Sequence, residues 1–93
     1  MREYELVFII HPDLEENAVN DVINRVQGWV TEAGGKVTKT DLWGKRKLAY
    51  PIRKQNQGHY VLMNIAMAPA FGAVLERNLR FYEPVMRFLV TAR

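Results

Sequence analysis

The basic residues of this chain are concentrated in one segment, residues 36–54, whose sequence is KVTKTDLWGKRKLAYPIRK. It holds seven of the 13 lysines and arginines and a single acid, so its net charge is +6. The residues before it are strongly acidic overall. Two aromatic residues, Trp43 and Tyr50, lie within the basic segment. Basic groups interleaved with aromatic rings are typical of surfaces that meet phosphates and bases, or an acidic partner.

The candidate phosphate-binding residues come from three parts of the chain. Arginine can contact a phosphate through two parallel hydrogen bonds, whereas lysine supplies a point charge. We expect the fold to bring these parts near one another. The candidates are Arg2, Lys45, Arg46, Lys47, Arg53, Lys54, Arg80 and Arg87. A second interpretation applies to Lys45–Lys47 alone, because lysines also keep an exposed strand from pairing with another chain.

Residues that could carry catalysis are few. The chain has no cysteine, so a thiol nucleophile and thiolate metal sites are excluded. His11 and His59 could come close if the first and third strands are neighbours, but no carboxylate joins them at ligand spacing. No nucleotide-binding glycine motif is present. We therefore expect no catalytic residue, no metal site and no cofactor.

The length of 93 residues predicts one domain, spanning residues 1–93. No run approaches the ~18 apolar residues of a membrane helix. The first residues lack the basic and apolar regions of a signal peptide. These features predict a cytosolic chain that starts at its natural first residue.

Apolar spacing gives the first half of the secondary structure. Alternation predicts a strand over 2–10, ended by the turn at His11–Asp13. Helical spacing follows, with Asp13 as the expected N-cap and Gly34-Gly35 as the terminator. A long strand is then predicted over 36–52, with a bulge or bend at Gly44. Pro51 removes a backbone donor, so this strand should lie at a sheet edge.

The second half continues with a polar loop over 53–58 and a strand over 59–67. Pro69 opens a second helix whose apolar side is formed by Phe71, Val74, Leu75 and Leu79. A strand over 85–91 completes a β-α-β-β-α-β order. This order predicts an α+β, ferredoxin-like βαββαβ sandwich, with a four-stranded antiparallel sheet and two helices on one face.

The sheet face without helices should be unusually apolar. It is expected to carry Glu5, Val7, Ile9, Tyr60, Leu62, Asn64, Arg87 and Leu89. Scattered surface apolar residues are common, and a docking surface is the alternative. Two other functions also suit this fold. One is a free-standing RNA-recognition module that binds single strands, and the other is a dimeric α+β barrel that binds a ligand or acts as an enzyme.

Several motifs resemble the bacterial family of small-ribosomal-subunit protein six across nearly the whole chain. They are Arg2-x-Tyr4-Glu5, His11-Pro12, the run from Trp43 to Ile52 followed by Lys54, the run from Gly58 to Asn64, Leu79-Arg80-Phe81 and Val85-Met86-Arg87. The Leu-Ala-Tyr-Pro-Ile run at 48–52 is the most specific of them.

The resemblance implies a ribosomal protein without catalytic activity. It implies binding to the central domain of small-subunit ribosomal RNA, as a heterodimer with ribosomal protein eighteen of the same subunit. RNA contacts are implied near Arg2, Lys54, Arg80 and Arg87. The protein partner is implied to dock along the second strand and the open sheet face. We assign to that partner surface Trp43, Leu48, Ala49, Tyr50, Tyr60 and Leu62.

Overall fold

A computed structural model describes all 93 residues. The elements are β1 (Arg2–Ile10), α1 (Glu16–Glu32), β2 (Lys36–Ile52), β3 (Gln55–Met67), α2 (Phe71–Arg80) and β4 (Val85–Ala92). The strands form one antiparallel sheet in the order β2-β3-β1-β4. The predicted ferredoxin-like arrangement is confirmed. No helix is long and apolar enough to cross a membrane.

The core lies between one sheet face and the two helices. Leu6 and Phe8 of β1, Met63 of β3, Val26 of α1 and Leu75 of α2 are completely buried in it. No polar or charged residue is buried. Val74 was predicted on the apolar side of α2, but this prediction is wrong. Val74 is 47% exposed, because the face of α2 that meets the core is formed by Leu75 and Leu79, with Phe71 partly buried beside them.

The two ends of α1 differ in how well the sequence specifies them. Gly34 adopts a φ of 83°, and its N–H donates to Thr31 O while Gly35 N–H donates to Val30 O. This is a Schellman ending, as the Gly-Gly pair predicts. The predicted N-cap is wrong: Glu15 precedes the first helical residue and no side chain caps it. Asp13 instead donates its backbone N–H to His11 Nδ1 at 3.1 Å.

The β2–β3 hairpin is tighter than predicted. β3 begins at Gln55, so the connection is only Arg53 and Lys54, not a loop over 53–58. Both residues have positive φ, 51° and 63°. Two-residue hairpins favour such turns because their twist matches that of the strands. The predicted bulge at Gly44 is confirmed by its φ of 85° and by a register shift after Leu42.

The far end of this hairpin (residues 48–57, the hairpin end) folds toward the sheet face that has no helices, which we call the open face. Leu48 of β2 packs with Ile9 of β1 and Met86 of β4 in a second small core. β2 is the edge strand next to β3, as Pro51 predicts, and yet it reaches residues of β1 and β4. The expectation of an uncovered face is therefore wrong at this end, where Ile9 is buried.

Candidate nucleic-acid and partner surface

The basic run of β2 divides between the two sides of the sheet. Lys45 pairs with His59 and Lys47 with Gln57, whereas Arg46 pairs with Gly58. Directly opposed residues share a face. His59 lies on the helix side, where its Nε2 is 3.2 Å from Leu14 O. Lys45 and Lys47 therefore lie on the helix side and Arg46 on the open face.

A polar hollow on the helix side contains two of the candidate lysines. It is lined by Pro12, Asp13, Lys45, Lys54, Gln55, Asn56 and Gln57. Lys45 contributes from β2 and Lys54 from the turn, so the short hairpin brings them to one site. Ammonium groups beside side-chain amides are donors that suit an anion. The hollow also includes the carboxylate of Asp13, which weakens but does not reverse the positive charge.

Two pairs of arginine and aromatic side chains lie on the open face. The Arg46 guanidinium is 5.6 Å from the Trp43 ring centre, and Trp43 stacks on Tyr60 at 6.3 Å with 14° between the ring planes. Arg87 is 5.6 Å from the centre of the Tyr50 ring. Such contacts hold the cations in place without neutralising them. Candidates for RNA binding and for partner binding are therefore neighbours on this face.

Arg53 differs from the other candidates because its guanidinium is engaged within the chain. Nη1 donates to Glu83 O at 2.9 Å and Nη2 to Val85 O at 3.3 Å. Val85 is the first residue of β4, and Glu83 lies in the turn just before it. Arg53 is nevertheless an exposed residue.

The fold does not bring all the candidates together. Arg2 pairs with Met67, whereas the hairpin end and the start of β4 lie beside Ile10 at the other end of β1. At a rise of ~3.3 Å per residue, the two ends of β1 are about 26 Å apart. Arg80 ends α2 shortly before β4 and lies toward the Ile10 end. The expectation that the candidates would cluster is wrong for Arg2.

None of the eight basic candidates forms an ion pair. The chain has one ion pair, Lys39 with Asp41 at 3.3 Å. His11 Nδ1 lies 3.8 Å from Asp13 Oδ2, but it accepts the Asp13 backbone N–H and therefore does not form a second ion pair. Charge pairing within the chain therefore does not explain the basic candidates. No group of three or more histidine, cysteine, aspartate or glutamate side chains is close enough to hold a metal ion.

The predicted partner residues differ in exposure. Trp43 is 43% and Tyr50 54% exposed, and Ala49 is exposed, whereas Tyr60 and Leu62 are partly buried. Leu48 is only 6% exposed, since its side chain fills the second core. Its place on the edge strand leaves its backbone, rather than its side chain, for contact with a partner.

An apolar row crosses the open face, and Leu62 is the only one of its three residues that the sequence interpretation assigned to the partner surface. Val7 of β1 pairs with Leu62 of β3 on one side and Leu89 of β4 on the other. Leu89 is 62% exposed. Alternation along each strand had placed these residues on one face, but only the register shows that they form a continuous row.

Comparison with known proteins gives the family. Residues 3–92 match the family described as ribosomal protein S6. The chain belongs to the ribosomal protein S6 family. It is 44% identical over 91 residues to small ribosomal subunit protein bS6 of Moorella thermoacetica, covering 98% of this chain and 93% of that protein. It is 46% identical over 90 residues to the protein of the same name from Clostridium novyi, covering 97% and 95%.

A solved structure agrees with the fold. The crystal structure of 30S ribosomal protein S6 from Thermotoga maritima has a TM-score of 0.93 and 31% identity, covering 99% of this chain and 87% of that one. The predicted family is confirmed. It is a family of ribosomal proteins and not of enzymes. As a small-subunit ribosomal protein, the chain is a component of the cytoplasmic ribosome and associates with its RNA.

Proposed function

We propose that this chain, acting as a single domain over residues 1–93, binds the central domain of small-subunit ribosomal RNA jointly with ribosomal protein eighteen of that subunit. It contributes binding and has no catalytic activity. The observation that carries this proposal is the set of basic side chains without carboxylate partners, most of them near the hairpin end and beside an exposed apolar face.

The RNA surface comprises the side chains of Arg2, Lys45, Arg46, Lys47, Lys54, Arg80 and Arg87. Lys45 and Lys54 share the polar hollow, and Arg87 is held over Tyr50 nearby on the open face. Arg2, at the other end of β1, extends the surface along the sheet. A surface of this length suits a folded RNA that passes along the protein and not a single short strand.

The partner surface consists of the β2 edge and the apolar row on the open face. Trp43, Tyr50 and Leu42 are exposed along β2, whose outer backbone groups have no neighbouring strand. A partner can therefore add hydrogen bonds along β2 and pack on Val7, Leu62 and Leu89 of the open face. Sharing the RNA between two proteins makes RNA affinity depend on the heterodimer.

A mobility-shift titration with central-domain ribosomal RNA tests this proposal. The RNA is incubated with this chain, with ribosomal protein eighteen, and with both. Strong retention only with both proteins present supports the proposal. Equal retention of any single-stranded oligonucleotide by this chain alone would favour an RNA-recognition module, and a tight homodimer with a bound small molecule would favour the barrel alternative.

A further inference from the structure

Arg53 and Lys54, which form the β2–β3 turn, are the only residues other than glycine with a positive φ. Both residues have a left-handed φ, 51° and 63°, which L side chains adopt rarely. Turns of this kind favour Asn-Gly or Asp-Gly because those residues tolerate positive φ. Two long basic side chains therefore occupy positions where the backbone alone would favour small residues. Unfavourable backbone conformations of this kind are often retained where the side chains have a functional role.

The Arg53 side chain links this turn to the opposite edge strand. Its two terminal nitrogens donate to Glu83 O at 2.9 Å and to Val85 O at 3.3 Å. In the strand order β2-β3-β1-β4, β1 lies between this turn and β4, so the contact joins parts of the chain that are not neighbours in the sheet. A planar guanidinium fork can donate to two carbonyls at once, which a lysine ammonium does less well.

A second contact fixes the same hairpin end. Leu48 packs on Ile9 and Met86 from the β2 side of the hairpin, and Gly58 lies against Ile9 and Met86 from the β3 side. With the Arg53 hydrogen bonds, the hairpin end is attached to β4 at two points. Lys54 belongs to this hairpin end, and it lines the same hollow as Lys45.

We propose that Arg53 is a positioning residue: its paired hydrogen bonds to the start of β4 hold the hairpin end so that Lys54 is presented, beside Lys45, to a phosphate of the bound RNA. This inference rests on the proposed function and deepens it. It gives Arg53 a role distinct from direct RNA contact, which its place in the basic run had suggested.

Hydrogen exchange of the free chain tests the positioning without RNA. Arg53→Ala is expected to speed exchange of the amides in residues 48–57 by about tenfold or more, the ratio equivalent to losing a hydrogen bond from a charged donor. Arg53→Lys should give most of this increase because it lacks the fork, and Lys54→Ala should give none. Amides of β1 residues 4–8 report whether the whole chain has been destabilised. Unchanged exchange of residues 48–57 in Arg53→Ala overturns the proposal.

A double-mutant cycle in the heterodimer–RNA complex tests the link to Lys54. If Arg53 acts through Lys54, Arg53→Ala/Lys54→Ala binds central-domain RNA no more weakly than Lys54→Ala, within the roughly twofold scatter of such cycles. Additive losses, with binding restored by Arg53→Lys, would mean that Arg53 contacts RNA directly and would overturn the proposal. Absence of RNA binding by the wild-type heterodimer refutes the proposed function instead, while the exchange result still decides whether Arg53 holds the hairpin end.

Discussion

Alanine at Gly58 is expected to destabilise the chain, whereas alanine at Gly28 is expected to stabilise it. A Cβ on Gly58 would collide with Ile9 Cγ2 and would lie 3.1 Å from Met86 Cε and 3.3 Å from Ile10 O. Ile9 is buried and β-branched, so it cannot easily rotate away. A Cβ on Gly28, inside α1, would meet nothing within 4 Å. The same glycine-to-alanine change therefore tests a filled site at Gly58 and an open site at Gly28.

The two effects have calculable sizes. Overpacking a filled site costs about 1–3 kcal/mol, and replacing glycine by alanine in a helix interior gains about 1 kcal/mol. The two variants should differ in unfolding free energy by roughly 2–4 kcal/mol. At about 4–8 °C per kcal/mol for a domain of this size, their melting temperatures should differ by at least ~8 °C. Urea unfolding followed by circular dichroism, together with a thermal scan, measures both quantities.

A coupling test identifies the source of the Gly58 effect. Ile9→Ala removes the colliding Cγ2, so part of the cost of Gly58→Ala should disappear in the Ile9→Ala background. If Gly58→Ala is as stable as wild type, or if its cost is the same with and without Ile9, the packing of the hairpin end over the open face is not as described.

Three further predictions concern stability and RNA binding. Leu75→Ala should cost about 2–5 kcal/mol of unfolding free energy, because the side chain is completely buried. Val74→Ala on the same helix should change the unfolding free energy by under ~0.5 kcal/mol. Equal effects of the two variants would contradict the assignment of the core-facing side of α2. Lys54→Gly should relieve the strain of a positive φ, so stability should be unchanged or raised by under ~1 kcal/mol. The same variant should weaken RNA binding by the heterodimer in a filter-binding assay. An unaltered affinity would show that Lys54 is not part of the RNA surface. Arg87→Ala should weaken RNA binding. Arg25→Ala removes a matched contact, 5.7 Å from the Tyr82 ring centre on the helical side, and should leave RNA binding unchanged. Each variant should cost under ~1 kcal/mol of stability, and equal losses of RNA affinity would show that the location of an arginine on the surface does not matter for RNA binding.

Elements set by local pattern were predictable from the sequence. Alternation in β1 predicts Val7 and Ile9 on the face without helices, and Leu6 and Phe8 on the other face are buried, because the side-chain period of a strand is fixed at two. Gly34-Gly35 predicted the end of α1, and Gly44 predicted the bulge, because positive φ favours glycine. The element order then left one common topology.

Features set by contacts distant in sequence were not predictable. The turn at Arg53-Lys54 has no turn-favouring residue, so its length became clear only from the pairing of Ile52 with Gln55. Leu48 resembled an exposed edge residue, but it is buried because the hairpin end folds onto Ile9. The separation of Arg2 from the other basic candidates follows from the antiparallel register of the sheet.

The dependence of heterodimer–RNA affinity on salt tests the central claim most directly. Each phosphate contact contributes roughly 0.7–0.9 to the slope of log affinity against log salt concentration. If Lys45, Lys54 and Arg87 lie against phosphates, replacing all three by alanine should lower the magnitude of that slope by about 2–3. An unchanged slope would show that these side chains do not contact the RNA backbone and would contradict the account.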